Sequence, residues 1–379
     1  MRFVLFCHSL VSDWNHGNAH FLRGVVRELK RRGHAVTVYE PRGGWSRTRL
    51  SRELGRDPAV EFQAAFPGLN SIEYEVYALD LDEALDDADV VIVHEWTDPV
   101  FVARIGRHRR QTGRYRLLFH DTHHRSVSAR DDIARLDLDG YDGVLAFGEA
   151  IREIYLRHGW SQRAWTWHEA ADTTLFRPIP SSARDGHLVW IGNWGDDERS
   201  AELHEFLLDP ARALGLRPVV HGVRYPASGL RALRAAGAEY RGYLPNHRVP
   251  ETFARFHVTV HVPRRQYVTA LPGIPTIRMF EALACGIPLI AASWRDTEGL
   301  FGRHDFLVAR NGIEMMRHLR ALFADADLRA SLAANGLARI RARHTCAHRI
   351  DALLEICADL GAAAAHAAPD RQPLAVEAT

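Results

Sequence analysis

The sequence has 379 residues, which is enough for two domains with substantial hydrophobic cores. Hydrophobic residues make up 46% of the chain and charged residues 25%, as in an ordinary globular enzyme, and no run approaches the ~20 apolar residues of a membrane span. The formal net charge of +1 argues against nucleic acid or an anionic membrane surface as the main partner.

The cysteines and the first residues bear on where the protein works. The four cysteines show no C-x-x-C pairing, and three of them lie in apolar, periodic segments. We therefore expect free, buried thiols in a reducing cytoplasm. The apolar run at residues 1–7 is too short for a signal peptide and is predicted to be a first strand. The cysteines are Cys7, Cys285, Cys346 and Cys357.

The first half of the chain alternates apolar strands with amphipathic helices. We predict a strand at Phe3–Cys7, a helix at about Ala19–Arg32 and a strand at Ala35–Tyr39, which together form a right-handed β-α-β unit. Gly17 lies between the first strand and its helix, where open α/β sheets bind ligands, although no G-x-G-x-x-G motif is present. Surface helices or excursions are expected between residues 45 and 67. Further strands are predicted at Asp89–His94, Tyr115–Phe119, Asp142–Phe147 and Ala164–Trp167.

Two of these strands lead into histidines, namely His94 and the segment from His120 to Arg125. Three interpretations of that segment stay open. It is a metal site, since His and Asp are ligand types, although its spacing matches no helical H-x-x-x-H motif. It is a solvated loop, in a chain that has 22 histidines. It is the lip of an active site, where a histidine can hydrogen-bond a sugar hydroxyl or a phosphate near neutral pH.

The amino-acid composition changes after residue 172, where the run F-R-P-I-P-S-S contains two prolines followed by two serines. Such a run is typical of an interdomain connection. Strand and helix alternation then restarts at Leu188–Ile191, which favours a second doubly wound domain. We predict a first domain at 1–173, a linker at 174–187, a second domain at 188–345, a C-terminal helix at 346–361 and a disordered tail at 362–379.

In the second half, a loop, a helix and a strand between residues 273 and 292 carry the strongest chemical signal. Pro275 suits the first turn of the helix, because its missing N–H costs nothing there. Thr276 and Ile277 then offer backbone N–H groups at the positive helix end, which is a ready site for a diphosphate. Glu281 is the single carboxylate of this apolar helix, and on these residues alone it is equally a helix residue at a domain surface. Further strands are predicted at Pro218–His221, Glu239–Arg241, Val258–Val262, Ile287–Ala292 and Phe306–Ala309, and helices at Ile313–Ala324, Leu328–Arg343 and His348–Leu360.

The stretch from 273 to 292 resembles the donor-binding element of GT-B glycosyltransferases, specifically the group-1 retaining type. The run R-G-H-A-V-T-V at Arg32–Val38 also resembles their amino-terminal domain, and nearly the whole chain is similar to the CgeB-like, spore-maturation branch. The resemblance implies that Thr276 and Ile277 bind the diphosphate of a nucleotide sugar and that Glu281 binds its ribose. Gly273 stands where the family usually has a second Glu, beside the donor sugar.

The resemblance also assigns roles in the turn after Leu188–Ile191. Asn193 stands where the family usually has an Arg that neutralises the diphosphate, and Arg199 stands about where it has a Lys. An Arg pairs with phosphate in a more directional way than a Lys does. On the residues alone, Arg199 is equally a surface charge. Arg264 or Arg265 is a candidate to replace the missing cation.

Three more roles follow from the resemblance. Tyr243 lies in the loop that contacts the base in the family. His120 matches a histidine beside the donor sugar and is the candidate catalytic residue. The candidate acceptor contacts are His94, His123 and Arg125. The predicted donor-binding set is Gly17, Asn193, Arg199, Tyr243, Gly273, Pro275, Thr276, Ile277 and Glu281.

We therefore expect an α/β protein of the GT-B class, with two Rossmann-like parallel-sheet domains facing each other across a cleft. It is expected to move a hexose from a UDP- or GDP-type nucleotide sugar to a glycan, protein or small molecule, with retention and without a metal ion or other cofactor. The leaving phosphate is expected to accept the acceptor's proton. Two other classes stay open, a non-catalytic GT-B protein that binds a sugar nucleotide and a nucleotide-cofactor oxidoreductase, which the missing dinucleotide motif disfavours.

Overall fold

The computed structural model describes residues 1–181 and 185–361 of the chain. The predicted disordered tail at 362–379 and part of the predicted linker lie outside the described residues. Among the helices in the described ranges, none is long and apolar enough to cross a membrane.

The first domain is built on a seven-stranded sheet whose strands all run parallel. Its strands are β1 Arg2–Phe6, β2 Ala35–Pro41, β3 Ile72–Tyr74, β4 Val90–His94, β5 Arg116–Asp121, β6 Gly143–Ala146 and β7 Ala164–Thr166. They lie in the order β3-β2-β1-β4-β5-β6-β7. Phe3 and Leu5 of β1 pack into one hydrophobic cluster while Val4 and Phe6 pack into another, so both faces of the sheet are covered. Only the short β3 was not predicted from the sequence.

The second domain contains a six-stranded parallel sheet of the same kind. Its strands are β8 Gly186–Ile191, β9 Val219–His221, β10 Glu239–Gly242, β11 Phe256–His261, β12 Leu289–Ala292 and β13 Leu307–Ala309. They lie in the order β10-β9-β8-β11-β12-β13. Because β8 begins at Gly186, the last two residues of the predicted linker already belong to this sheet. The prediction of two Rossmann-like parallel-sheet domains is confirmed.

Helices connect the strands in both domains. In the first they are α1 Asn18–Arg31, α2 Trp45–Leu54, α3 Ala59–Ala65, α4 Leu81–Ala84, α5 Pro99–Thr112, α6 Arg125–Ser128, α7 Arg130–Ala134 and α8 Glu149–Arg157. In the second they are α9 Ser200–Leu203, α10 Asp209–Ala213, α11 Ala227–Ala235, α12 Val249–Phe253, α13 Arg265–Thr269, α14 Ile277–Ala284, α15 Gly312–Ala324, α16 Ala326–Arg343 and α17 Cys346–Asp359. A π-helical turn at His204–Leu208 joins α9 to α10, and a short 3₁₀ turn at Asn246–Arg248 precedes α12.

The last helix returns to the first domain. Ile350 and Leu353 of α17 are buried in the same cluster as Phe3 and Val25. The two helices α1 and α17 approach closely because Gly24 has no side chain, and a Cβ there would lie 2.4 Å from the Sγ atom of Cys346. The predicted C-terminal helix is therefore part of the first domain's core by packing.

All four cysteines are buried and free, as predicted. Burial raises the pKa of the Cys7 thiol well above its usual value and raises that of Cys357 to about 12. Such thiols stay protonated and weakly nucleophilic at neutral pH. We infer that the cysteines act in packing.

Strand order places the ligand-binding edges of the two sheets. In the first sheet the order reverses direction between β1 and β4, and in the second it reverses between β8 and β11. Open α/β sheets bind ligands at the carboxyl ends of the strands beside such a reversal. Both of these edges line the same cleft, as described next.

Candidate active site in the interdomain cleft

A cleft of about 700 Å³ lies between the two domains. Its walls come from segments that follow the carboxyl ends of β1, β4, β5 and β7 in the first domain and of β8 and β11 in the second. Of the predicted donor-binding residues, it brings together Gly17, Asn193, Arg199, Thr276 and Ile277, and of the predicted acceptor contacts His123 and Arg125. Other residues along its wall are His16, Asn18, Trp96, Glu169, His261, Arg264 and Arg278.

The helix α14 begins with its amino end at this cleft. Thr276 is its N-cap residue in extended conformation, and Ile277 is its first helical residue. The Thr276 hydroxyl makes no capping bond and lies 3.0 Å from Nε2 of His261. Pro275 precedes the N-cap and is buried, so it lies just before the helix and not in its first turn as predicted; its contact with the donor stays a prediction.

Gly273 occupies a position that only glycine fits well. Its φ of +90° lies in the region that L side chains rarely adopt, and a Cβ there would lie 2.4 Å from Oγ1 of Thr297. A glutamate at this position would need a different path for the loop that leads to α14. The path of this loop therefore favours glycine at position 273.

Arg199 is held under the cleft by backbone carbonyls. Its guanidinium donates to the carbonyl oxygen of Val262 at 2.9 Å and to that of Asn193 at 2.5 Å, and it lies over the ring of Trp190. Within the described ranges it forms no ion pair with a carboxylate, and burial lowers its pKa to about 10, so it stays charged. Asn193 itself accepts a hydrogen bond from the N–H of Val223 and contacts Asn15 of the first domain.

A second cation of the cleft is already paired. Arg264 bonds to Glu198, whose carboxylate also lies 3.5 Å from Nε2 of His124. Burial alone would raise the pKa of Glu198, but His124 and Arg264 lower it to about 2. Arg265 pairs with Glu202 at the surface, away from the cleft wall. Of the two candidates for the missing cation, the structure thus brings only Arg264 to the cleft.

Glu281 is closed off from the cleft in this arrangement. It has no exposed surface, its Oε1 lies 2.6 Å from Nδ1 of His20, and its Oε2 accepts from Arg278 at 2.5 Å. Burial opposes its ionisation, but Arg278 and His20 lower its pKa below the usual value. Its role at the ribose stays a prediction, and in this arrangement His20 and Arg278 already occupy its two carboxylate oxygens.

Sequence reasoning missed Glu169. This residue follows the carboxyl end of β7, lines the cleft and is only 5% exposed. Its carboxyl accepts a hydrogen bond from Nδ2 of Asn18 at 3.3 Å and lies close to the backbone N–H of Ile277, which favours its charged form. Burial, helped by the charge of Glu281, raises its pKa to about 8. The available signal was an acidic residue directly after the last strand of the first domain.

His120 and His94 lie beneath the cleft wall. His120 has no exposed surface and packs against Trp167 and His94, with ring centroids 4.8 and 5.5 Å apart. His94 is 1% exposed, and its Nε2 lies 2.9 Å from Oγ1 of Thr122. Neither is part of the cleft wall, so their predicted contacts with sugar or acceptor are not provided by this arrangement. The periodicity that placed them at strand ends did not reveal that other side chains cover them.

The wall of the cleft that carries the predicted acceptor contacts has an aromatic and cationic character. The Arg125 guanidinium lies 4.7 Å from the ring centroid of Trp96, which is 39% exposed. His123 packs against the same indole, and its Nδ1 is buried without a hydrogen-bond partner. Burial and the neighbouring His124 lower the pKa of His123 well below its usual value, so it is neutral at pH 7.

Tyr243 joins the two domains instead of lining the main cleft. Its hydroxyl donates to Asp13 of the first domain, and the Asn246 backbone N–H donates to the same carboxylate at 2.8 Å. Arg23 bridges Asp13 and the Asn246 side chain, at 3.1 and 2.8 Å. The predicted contact between Tyr243 and a nucleotide base stays a prediction, and the structure gives this residue an interdomain role.

In this cleft, groups of the second domain can bind an anion, and groups of the first domain can bind a polar molecule. A helix amino end and a charged Arg199 stabilise negative charge, more strongly where water is partly excluded. Several buried polar atoms near the cleft have no partner, among them Nε2 of His16, Oδ1 of Asn18 and Nδ1 of His261. Buried polar atoms are normally hydrogen-bonded, so water or a polar ligand would complete the hydrogen bonding of these atoms.

Comparison with known proteins agrees with this geometry. Residues 199–355, less than half of the chain, match the family model described as "Glycosyl transferase-like". None of the curated proteins matches the sequence at a significant level.

Several solved structures are similar over nearly their whole length. Sucrose-phosphate synthase from Thermosynechococcus elongatus is 14% identical, with a TM-score of 0.66, and covers 96% of this chain and 99% of its own. Anabaena Alr3699/HepE, in complex with UDP and glucose, is 12% identical, with a TM-score of 0.68; the match covers 94% of this chain and 99% of the Anabaena chain. An alpha-glucosyltransferase in complex with UDP and a 13-mer DNA is 12% identical, with a TM-score of 0.65 and coverages of 94% and 99%.

Because the sequence identity is so low, these similarities establish the fold and nothing beyond it. The same fold is supported by the two parallel sheets of seven and six strands, whose edges face each other. The family-model match in the second domain agrees with it. The chain has the GT-B fold of glycosyltransferases, and its residues 199–355 match the glycosyl transferase-like family model.

Proposed function

We propose that this protein is a glycosyltransferase that moves a hexose from a nucleoside-diphosphate sugar to a hydroxyl of an acceptor. The observation that carries the proposal is the convergence of Arg199 and the amino end of α14 on one cleft of a GT-B fold. Both lie within residues 199–355, the segment that matches the glycosyl transferase-like family model.

The donor diphosphate is proposed to lie between Thr276, Ile277 and Arg199. Backbone N–H groups at a helix amino end and a guanidinium both favour an anion, and Arg199 has no carboxylate partner to neutralise it within the described ranges. UDP is the first nucleotide to test, because the similar Anabaena protein and the alpha-glucosyltransferase were solved with UDP. GDP is the second.

The chemistry follows from this placement. Breaking the bond between sugar and phosphate leaves negative charge on the diphosphate, and groups that bind this charge more tightly in the transition state accelerate the reaction. Arg199 and the helix end supply such groups from the protein, which supports transfer that needs no metal ion. Retention, with the leaving phosphate accepting the acceptor's proton, is the outcome that the resemblance to group-1 enzymes favours. A cytoplasmic location and the CgeB-like branch remain parts of the proposal.

The acceptor is proposed to enter on the side of His123, Arg125 and Trp96. An exposed indole and neutral imidazole suit a neutral molecule with hydroxyl groups, such as a glycan, a glycosylated protein or a small molecule. The net charge of +1 gives no general attraction for nucleic acid. The DNA bound by the similar alpha-glucosyltransferase makes a DNA duplex a useful comparison in acceptor screens.

The test is titration calorimetry with UDP-glucose and GDP-mannose, with NAD as the control ligand. Arg199→Gln should weaken binding of the preferred nucleotide sugar roughly ten- to hundredfold, because it removes a charge-assisted contact to phosphate. Arg310→Gln, which removes a 75% exposed guanidinium paired with Glu314, should leave binding unchanged. No binding of either nucleotide sugar, or binding of NAD alone, would overturn the proposal.

Turnover separates the enzyme from the non-catalytic alternative. When the nucleotide sugar is bound and no acceptor is added, we expect slow hydrolysis, because water takes the acceptor's place. The measured product is free nucleoside diphosphate. Binding without any such release, with or without an acceptor panel, would favour a protein that only binds a sugar nucleotide.

A further inference from the structure

Glu169 occupies the place where the proposed function puts a phosphate. Its carboxyl lies close to the Ile277 N–H at the amino end of α14, accepts from Asn18 at 3.3 Å, and lines the cleft. A charged carboxylate at this position would compete with a diphosphate for the same N–H and would repel it. A neutral carboxylic acid would not repel the diphosphate and offers its O–H as a donor to a phosphate oxygen, while its carbonyl oxygen remains an acceptor that a phosphate can displace from the N–H.

The surroundings of Glu169 keep it neutral. From α1, Asn18 donates to it without charge, and from α14 the carboxylate of Glu281 adds a like charge nearby. From α13, the Tyr267 hydroxyl faces it with a pKa raised well above its usual value by burial, and so carries no charge. Arg349 of α17 approaches only the backbone oxygen of Glu169, at 3.4 Å. Within residues 1–181 and 185–361 its carboxyl has no cationic ion-pair partner, and burial leaves it protonated up to a pKa of about 8.

Two further side chains at this helix end point to a polar ligand. Asn18 is 7% exposed and lines the cleft, and its Oδ1 has no hydrogen-bond partner. His261 is 3% exposed, holds Thr276 through Nε2 and leaves Nδ1 without a partner. The His261 atom makes no contact with Glu169, the Asn18 oxygen belongs to the amide that donates to Glu169, and a ligand with several hydrogen-bonding groups would satisfy both.

We propose that Glu169 binds the donor diphosphate in its protonated form, giving up the Ile277 N–H to the phosphate and donating its own O–H to a phosphate oxygen. This inference rests on the proposed function. It assigns a donor-binding role to a residue of the first domain, so that both domains hold the diphosphate. Binding is then linked to one proton: the affinity is highest while Glu169 is protonated and falls as the pH rises through its pKa.

The experiment is calorimetric titration with UDP-glucose between pH 6.5 and pH 9. This ligand is a diphosphate diester, so its phosphates do not change charge in that range. For the wild-type protein we expect the dissociation constant to rise about tenfold between pH 6.5 and pH 9. This is the change expected when binding requires the proton of Glu169 and that proton dissociates near pH 8. For Glu169→Gln, whose amide also donates a hydrogen bond, we expect a constant affinity within about threefold of the wild-type value at pH 6.5. Glu314→Gln, which changes a carboxylate of α15 that does not line the cleft, is the control and should keep the wild-type slope.

Three outcomes are distinguished. A pH-independent wild-type dissociation constant, or the same slope in Glu169→Gln, overturns the inference while leaving the proposed function intact. A folded Glu169→Gln protein, verified by circular dichroism, that binds more than tenfold more weakly at pH 6.5 also overturns it, because a carboxylate would then be required. No binding of UDP-glucose by the wild-type protein at any of these pH values, nor of GDP-mannose, overturns the proposed function and this inference together.

Discussion

The buried ion network around Asp13 should contribute measurably to stability, and Asp13→Asn tests it. The carboxylate is 9% exposed and accepts from Arg23 at 3.1 Å and from the Asn246 N–H at 2.8 Å, with the Tyr243 hydroxyl as a third donor. Burial by itself would raise its pKa, but Arg23, His20 and these hydrogen bonds lower it from 3.8 to about 2. The network therefore favours the charged carboxylate over the neutral form.

The expected magnitude follows from that change in pKa. A difference from 3.8 to about 2 corresponds to about 2 kcal/mol, at ~1.4 kcal/mol per pKa unit. Asparagine keeps the shape but leaves Arg23, which is 3% exposed, without its counter-charge, and breaking a buried pair costs roughly 3–5 kcal/mol. We expect Asp13→Asn to lower the free energy of unfolding by about 2–4 kcal/mol at pH 7.

The assay is urea-induced unfolding followed by far-ultraviolet circular dichroism. Asp87→Asn is the matched control, because Asp87 pairs with Arg2 where both side chains are at least 60% exposed, and its loss should cost less than about 1 kcal/mol. Since the folded-state pKa of Asp13 lies below its unfolded value, its contribution is complete above about pH 4 and is lost as the pH falls through about 2. The difference between wild type and Asp13→Asn should thus shrink as the pH falls from 5 towards 2. A cost no larger than that of Asp87→Asn would refute the reasoning.

Three further predictions concern packing. Gly148→Ala places a Cβ 2.2 Å from Cγ1 of Ile274, in the loop before α14, so it should lower the melting temperature and weaken UDP-glucose binding, both measurable on one preparation. Gly273→Ala should destabilise by roughly 1–3 kcal/mol in urea titrations, and clearly more than Gly299→Ala, which has a similar φ of +64° but open space around it. Equal costs would show that the contact with Thr297 is unimportant. The buried cysteines should react with an aromatic disulfide reagent only in denaturant, and fast labelling of the native protein would contradict their burial.

Much of the fold was predictable because its signals are local. The apolar runs that became β1, β4, β5 and β8 and the amphipathic run of α1 repeat with the periods of strand and helix. Proline-rich sequence and a restart of the alternation indicated a second domain. The short β3 escaped because three residues carry too little periodicity to be distinguished from loop.

The candidate site was predictable in part. Thr276, Ile277 and Arg199 line the cleft, as a helix start and a strand-following loop would suggest. His120 lies at a strand end as predicted, but it is covered by Trp167 and other neighbours distant in sequence. Strand periodicity gives the end of the sheet at which a residue lies, and it does not give what packs over it.

By itself, the sequence determined two doubly wound domains, a helix whose amino end suits an anion, and thiols without partners, because each depends on neighbours within a few turns of the chain. The tertiary structure alone decided which groups meet at that helix end. Glu169 reaches the Ile277 amide and His20 reaches Glu281 only because the two domains close against each other. Such contacts depend on where two separately folded surfaces come to lie, and that position is set by long-range packing that no local pattern encodes.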